Sequence, residues 1–257
     1  MPGVEAPVVH TGIVLTVSGV SRCLSVEAYA SASLSPLVAG SGLALAFDAP
    51  IVAEACGLGS IAAIEDVEVK LVGRGVHYST PGLDKLLTDI AVRLYSEGND
   101  VLQLEQFPVS SIDARGLAGA LAASLSGSRV FLGGYGFPIG ELEGRWAVVI
   151  RLRKRISTEK LVEYVVGEGG NALTERMLDV LDTGVDGLAG YGLWAASLAG
   201  RHAANLIKRV LRAGAEAAVL DTSGRIVVAI VEDEIEASLL SAKLRDLGDR
   251  FEGIVVA

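Results

Sequence analysis

Apolar and polar positions along this chain follow two different periods. Between residues 8 and 72 the runs are short and strand-like: 8–17 and 25–34 are rich in Val, Ile, Leu and small residues, and 42–55 and 64–72 also read as strands. Turns are expected at Gly40-Ser41-Gly42 and Gly57-Leu58-Gly59-Ser60. Pro81-Gly82 then opens a stretch in which Leu83, Leu86, Leu87, Ile90, Val92 and Leu94 recur at helical spacing, with Lys85, Asp89 and Arg93 on the other face, until Gly98 ends it. A strand over 101–107, a loop over 109–116 and an alanine-rich helix over 117–125 follow. The second half begins with strands over 129–132 and 146–153 and continues into helical stretches near 158–166, 172–188 and 193–213. It closes with a hairpin of 215–220 against 226–231 turned by Asp221-Thr222-Ser223-Gly224, a helix over 234–247 and a strand over 253–256. Helices inserted between strands without strict alternation predict an α+β fold of two layers. The turn region 137–144 is the expected boundary between halves spanning 1–140 and 141–257.

With 257 residues, 51% of them hydrophobic, the chain can bury a large core, and disorder is excluded. A net charge of -9 and a pI near 4.9 remove the general electrostatic footprint for nucleic acid or an anionic membrane. Every long apolar run is interrupted before the roughly 20 residues that a bilayer crossing requires, and no basic segment precedes the first apolar one. The expectation is a soluble, cytoplasmic protein. Cys23 and Cys56 form no disulfide framework and no metal-ligand spacing with His10, His77 or His202, so both are expected to be small buried apolar residues and no metal site is predicted. Few Asn and Gln, with Arg outnumbering Lys, lean toward a heat-tolerant source. Arg151, Arg153 and Arg155 would share one face of a continuing strand, either as a solvated edge or as a grip for an anion.

Four segments in order resemble the GHMP small-molecule kinases, a family that includes galactokinase, homoserine kinase and mevalonate kinase. They are Gly40-Ser41-Gly42-Leu43-Ala44-Leu45-Ala46-Phe47 leading into a strand; Glu105-Gln106-Phe107-Pro108 before a small-residue loop and alanine-rich helix; 146–150 followed by Ile156-Ser157-Thr158; and Gly214-Ala215 entering the last hairpin, helix and strand. The resemblance implies two α+β halves, ATP and Mg2+ as co-substrates, and transfer of the γ-phosphate to a hydroxyl or acid of a small metabolite such as pantoate, homoserine or a mevalonate-like acid. A homologue that kept the fold as a small-molecule binding or dimeric interaction module is the alternative, and the apolar balance leaves room for a homodimer.

In the family a loop of Pro, three residues and Gly-Leu-Gly-Ser-Ser-Ala-Ala presents backbone N–H groups to phosphates at a helix N-terminus. Here Pro108 is followed by a longer insert before Gly116-Leu117-Ala118-Gly119, with Ser110 and Ser111 lying earlier as substitutes. In this register Ser110, Ser111, Gly116 and Gly119 would bind the nucleotide. In a competing register the same stretch matches the family's catalytic-aspartate segment: Asp113 acts as general base toward the acceptor hydroxyl and Arg115 lies near the transferred phosphate. A third reading makes Asp113 the cap of the helix that begins near Arg115. Gly57-Leu58-Gly59-Ser60-Ile61-Ala62-Ala63 repeats much of the phosphate-loop string but is followed by strand-period alternation, which favours a hairpin turn. The turn 221–224 stands where the family carries a further glycine cluster and reads here as a polar turn.

Overall fold

The computed structural model describes residues 13–18, 21–58, 67–97, 113 and 115–257. Among them a six-stranded sheet holds β1 (Ile13–Ser18), β2 (Ser21–Ser33), β3 (Gly42–Leu58), β4 (Glu68–Val72), β5 (Arg129–Leu132) and β6 (Tyr135–Pro138). Its order is β1-β2-β3-β5-β6, and β4 also pairs with β3. A four-stranded sheet holds β7 (Trp146–Leu152), β8 (Ala217–Leu220), β9 (Ile226–Val231) and β10 (Gly248–Val255) in the order β10-β7-β9-β8. All pairings are antiparallel. The helices are α1 (Leu83–Glu97), α2 (Leu117–Ser126), α3 (Glu159–Gly167), α4 (Gly170–Thr183), α5 (Val185–Ala199), α6 (Arg201–Ala213) and α7 (Glu234–Lys243). The fold is therefore α+β, as the hydrophobic patterning predicts, and among the described residues no helix is long and apolar enough to cross a membrane.

Three expectations change. The helical stretches 172–188 and 193–213 are cut at Gly184 and Gly200, whose backbones sit at φ 53° and 118°, conformations open to glycine and hostile to a continuing helix. The alternation assumed through Arg155 stops earlier, because β7 ends at Leu152. Cys23 and Cys56 are joined in a disulfide: the β2–β3 register sets them directly opposite each other, with Cα atoms 4.2 Å apart. That register is invisible in a sequence where the two lie 33 positions apart. Such a bond suits an oxidising compartment or the interior of a hyperthermophile. Replacing both cysteines by serine is expected to remove about 2–3 kcal/mol of stability. Melting followed with and without dithiothreitol should show a drop of roughly 5–10 °C, and an unchanged transition would mean that the bond adds nothing. The predicted strand over 101–107 lies outside the described residues.

Period-two alternation divides the second sheet between two cores. Ala147, Val149, Val219, Val228 and Ile230 face α5 and the first sheet. Val148, Ile150, Val227, Ala229 and Val231 face α6 and α7. At the start of β3 the same alternation sends Leu43, Leu45 and Phe47 into the main core, and Ala44 and Ala46 into a small cluster with Ala123 and Phe131. Alanine at these positions lets α2 lie close to the strand. The C-terminus stitches the sheets together: Val256 bridges Phe47, the Ala257 amide donates to the Ala46 carbonyl at 3.0 Å, and the Ser128 amide donates to the Ala257 carbonyl at 2.7 Å.

Candidate functional site

Three turns meet where α2 begins. The first runs from Asp113 to Gly116. Asp113 exchanges backbone hydrogen bonds with Leu37, both 2.9 Å, which anchors the turn to the loop after β2. Its carboxylate accepts from the Arg115 amide at 3.0 Å, closing the turn, and from the Ala118 amide at 2.9 Å, satisfying one of the donors that the start of α2 leaves without partners. Gly116 follows in the left-handed region, φ 63°. A side chain there would run into Ser33 Oγ and the Ser35 carbonyl, so glycine is what allows α2 to start against the end of β2.

The second turn joins β8 to β9. Asp221 is completely buried and organises it: Oδ2 accepts from Ser223 Oγ at 2.6 Å, and Oδ1 accepts from the amides of Arg225 and Ile226, both at 2.9 Å. Burial raises the Asp221 carboxyl above the ordinary aspartate range, and these hydrogen bonds counter part of the rise. Thr222, also buried, ties the three turns together. Its amide donates to the Ser33 carbonyl at 3.0 Å, its hydroxyl donates to the Arg115 carbonyl at 2.6 Å, and its carbonyl accepts from Thr158 Oγ1 at 2.6 Å. Thr158 belongs to the third turn, 153–158, which leads from β7 into α3. There Arg155 Nε donates to the Ser223 carbonyl at 3.0 Å and the Ile156 amide to the Gly224 carbonyl at 2.8 Å. Thr80 closes the remaining side, its hydroxyl accepting from the Ser33 amide at 2.8 Å.

Between these turns lies a cavity of about 350 Å³, within the range of small-molecule sites. Arg115, Arg155 and Arg225 line it together with Glu159 and Glu163, which stand one turn apart on α3, and with Thr80, Thr158, Thr222 and Ser223. Three arginines and two glutamates thus line one cavity, an arrangement suited to an anionic ligand that also carries or recruits a cation. Among the described residues no group of three or more His, Cys, Asp or Glu is placed to hold a metal ion.

Of the residues expected from sequence, Arg115 lines the cavity, while Asp113 and Gly116 form the turn that presents it. Gly119 lies one turn into α2, buried against the ring of Phe131. Ser110 and Ser111 lie outside the described residues. The sequence assigns no site role to Thr80, Thr158, Thr222 or Arg225, although Thr158 and Thr222 stand in segments it marks, and it places Arg155 on a strand that does not reach it. The available signal was a basic residue at each of three turns, Arg115, Arg155 and Arg225. Since both oxygens of Asp113 accept main-chain N–H groups, Asp113→Ala is expected to cost about 1–2 kcal/mol, whereas Asn, whose one amide oxygen keeps only one of the two bonds, is expected to lose less. Urea unfolding of the two variants checks this, and equal loss in both would exclude the capping role.

Compared by sequence, the chain matches no protein-family model and no curated protein. Compared by structure, it resembles mevalonate kinase from L. major, solved in complex with R-mevalonate, at TM-score 0.61 and 10% identity over 96% of this chain and 98% of that one. A phosphotransferase related to the CoA biosynthesis pathway matches at TM-score 0.60 and 15% identity, over 91% and 96% of the two chains. Homoserine kinase from Cytophaga hutchinsonii matches at 0.56 and 11%, over 95% and 98%. At this level of identity the likeness is one of fold, and the fold is that of the GHMP kinases.

Proposed function

We propose that the chain is an ATP-dependent phosphotransferase that moves a γ-phosphoryl group to a hydroxyl or acid group of a small metabolite, with pantoate, homoserine and mevalonate-like acids as candidate acceptors. The observation that carries the reading is the convergence of Arg115, Arg155 and Arg225 on one cavity at the start of α2. A triphosphate fits these residues, because guanidiniums pair with phosphate oxygens two bonds at a time. Mg2+ fits as well: it commonly takes one or two carboxylates alongside substrate phosphates, and Glu159 and Glu163 would supply them. ATP, when bound, supplies the activated phosphoryl group. The chain's own part is positioning and charge. Arg115 faces the transferred group, and the acidic acceptors match the remaining arginines. Thr222 fixes the backbone of the arginine turn, and Asp113 positions Arg115 by capping α2. The hydrogen bonds to Asp113 favour positioning over a general-base role, so Asp113→Asn is expected to retain turnover.

The same hydrogen bonds favour one second reading, a binding module that keeps the fold without transfer, because one of them occupies an amide in the first turn of α2 that a phosphate cradle would offer. Calorimetric titration with MgATP at millimolar concentration tests the kinase reading. Saturable heat supports it, and no heat sinks it.

A further inference from the structure

We infer that the cavity grips the oxyanion of its ligand with side chains, the guanidiniums of Arg115, Arg155 and Arg225, and not with the main chain at the start of α2. The inference rests on the cavity being a ligand site, as proposed above. Its first support is that the main-chain position is already partly taken. The Asp113 carboxylate takes the amides of Arg115 and Ala118, and the Asp113 carbonyl takes the Gly116 amide at 3.0 Å. An internal carboxylate thus holds one amide of the first turn of α2, Ala118, and the turn leading into it uses two more, which offsets part of the positive end of the helix from within the chain.

The second support is how the three arginines are held. Each comes from a different turn, and each turn is fixed near the arginine. The Arg115 carbonyl accepts from Thr222 Oγ1, the Arg225 amide donates to Asp221 Oδ1, and Arg155 Nε donates to the Ser223 carbonyl. Among the described residues neither the Arg115 nor the Arg225 guanidinium makes a hydrogen bond or ion pair, although Glu159 and Glu163 line the same cavity. Anchored stems with open, charged forks are what preorganised recognition of a phosphate or carboxylate requires. Both groups share that chemistry, so the ligand is a small molecule carrying a phosphoryl or a carboxylate group.

The experiment is calorimetric titration of the full chain with pyrophosphate and, separately, with malonate, in the absence of magnesium, comparing the natural sequence with Arg155→Ala and Arg225→Ala. Each substitution is expected to weaken binding at least tenfold, with Arg155→Lys and Arg225→Lys in between, since lysine keeps the charge and loses the fork. The lysine variants also guard against a folding artefact, and melting curves confirm that all four variants fold. A loss confined to pyrophosphate names a phosphoryl ligand and a loss confined to malonate a carboxylate ligand. Both outcomes uphold the inference. Binding unchanged in the alanine variants, or neither anion bound by the natural sequence at millimolar concentration, overturns it. Pyrophosphate binding without any phosphoryl transfer would sink the phosphotransferase reading alone. Transfer that survives both alanine substitutions undiminished would sink this inference alone.

Discussion

Arg115→Ala is expected to lower kcat/KM for phosphoryl transfer by roughly 10²–10³-fold, the cost of removing one preorganised donor from a site of developing charge. The size follows from how the residue is built in. Its amide donates to Asp113 and its carbonyl accepts from Thr222, so the backbone stays in place when the side chain is cut back. The side chain is exposed toward the cavity, and surface substitutions of this kind change stability by at most about 0.5 kcal/mol. Steady-state kinetics beside a melting curve separate the two effects. A large kinetic loss with an unchanged transition supports the role, and unimpaired kinetics would remove Arg115 from the mechanism.

Gly116→Val is expected to act in the opposite sense, through the fold. A β-branched residue in the left-handed region costs about 1–2 kcal/mol in backbone terms, and forcing its atoms into a packed wall adds about 1–3 kcal/mol. Ser33 Oγ and the Ser35 carbonyl form that wall, and Ser33 is itself held by Thr80 and Thr222, so it has little room to retreat. A fall in melting temperature of roughly 10–15 °C should result, with loss of the cavity. A shift of one or two degrees would mean that the turn re-forms without glycine.

These two neighbours also show how far the sequence was legible. The α+β fold could be seen because its strongest patterns are local. The leucine spacing of α1, the alanines of α2 and the hairpin of β8 and β9 each announce their period within about ten residues. What depends on register or on distant neighbours was hidden. Cys23 meets Cys56 only once β2 and β3 are aligned, and Gly184 and Gly200 interrupt helical patterns that stay apolar on both sides. β6, written Tyr-Gly-Phe-Pro, is too short to show alternation. At the site, Asp113, Arg115 and Gly116 could be singled out because they sit together at a helix start. Thr80, Arg155, Thr158, Thr222 and Arg225 come from turns spread over much of the chain and become neighbours only through the buried contacts of Thr222 and Ser33. The polar turn 221–224, which in sequence looks like a departure from the family's glycine cluster, is in the fold a wall of the cavity.

Phosphoryl transfer from ATP at the Arg115 cavity leaves a direct spectroscopic trace. Phosphorus NMR of a reaction containing the protein, Mg2+, ATP and, in turn, pantoate, homoserine and mevalonate tests it most directly. ADP is expected together with a new phosphate-ester or acyl-phosphate resonance for one of these acids, both sharply reduced in Arg115→Ala. ATP left intact with every acceptor, or transfer undiminished in that variant, would contradict it.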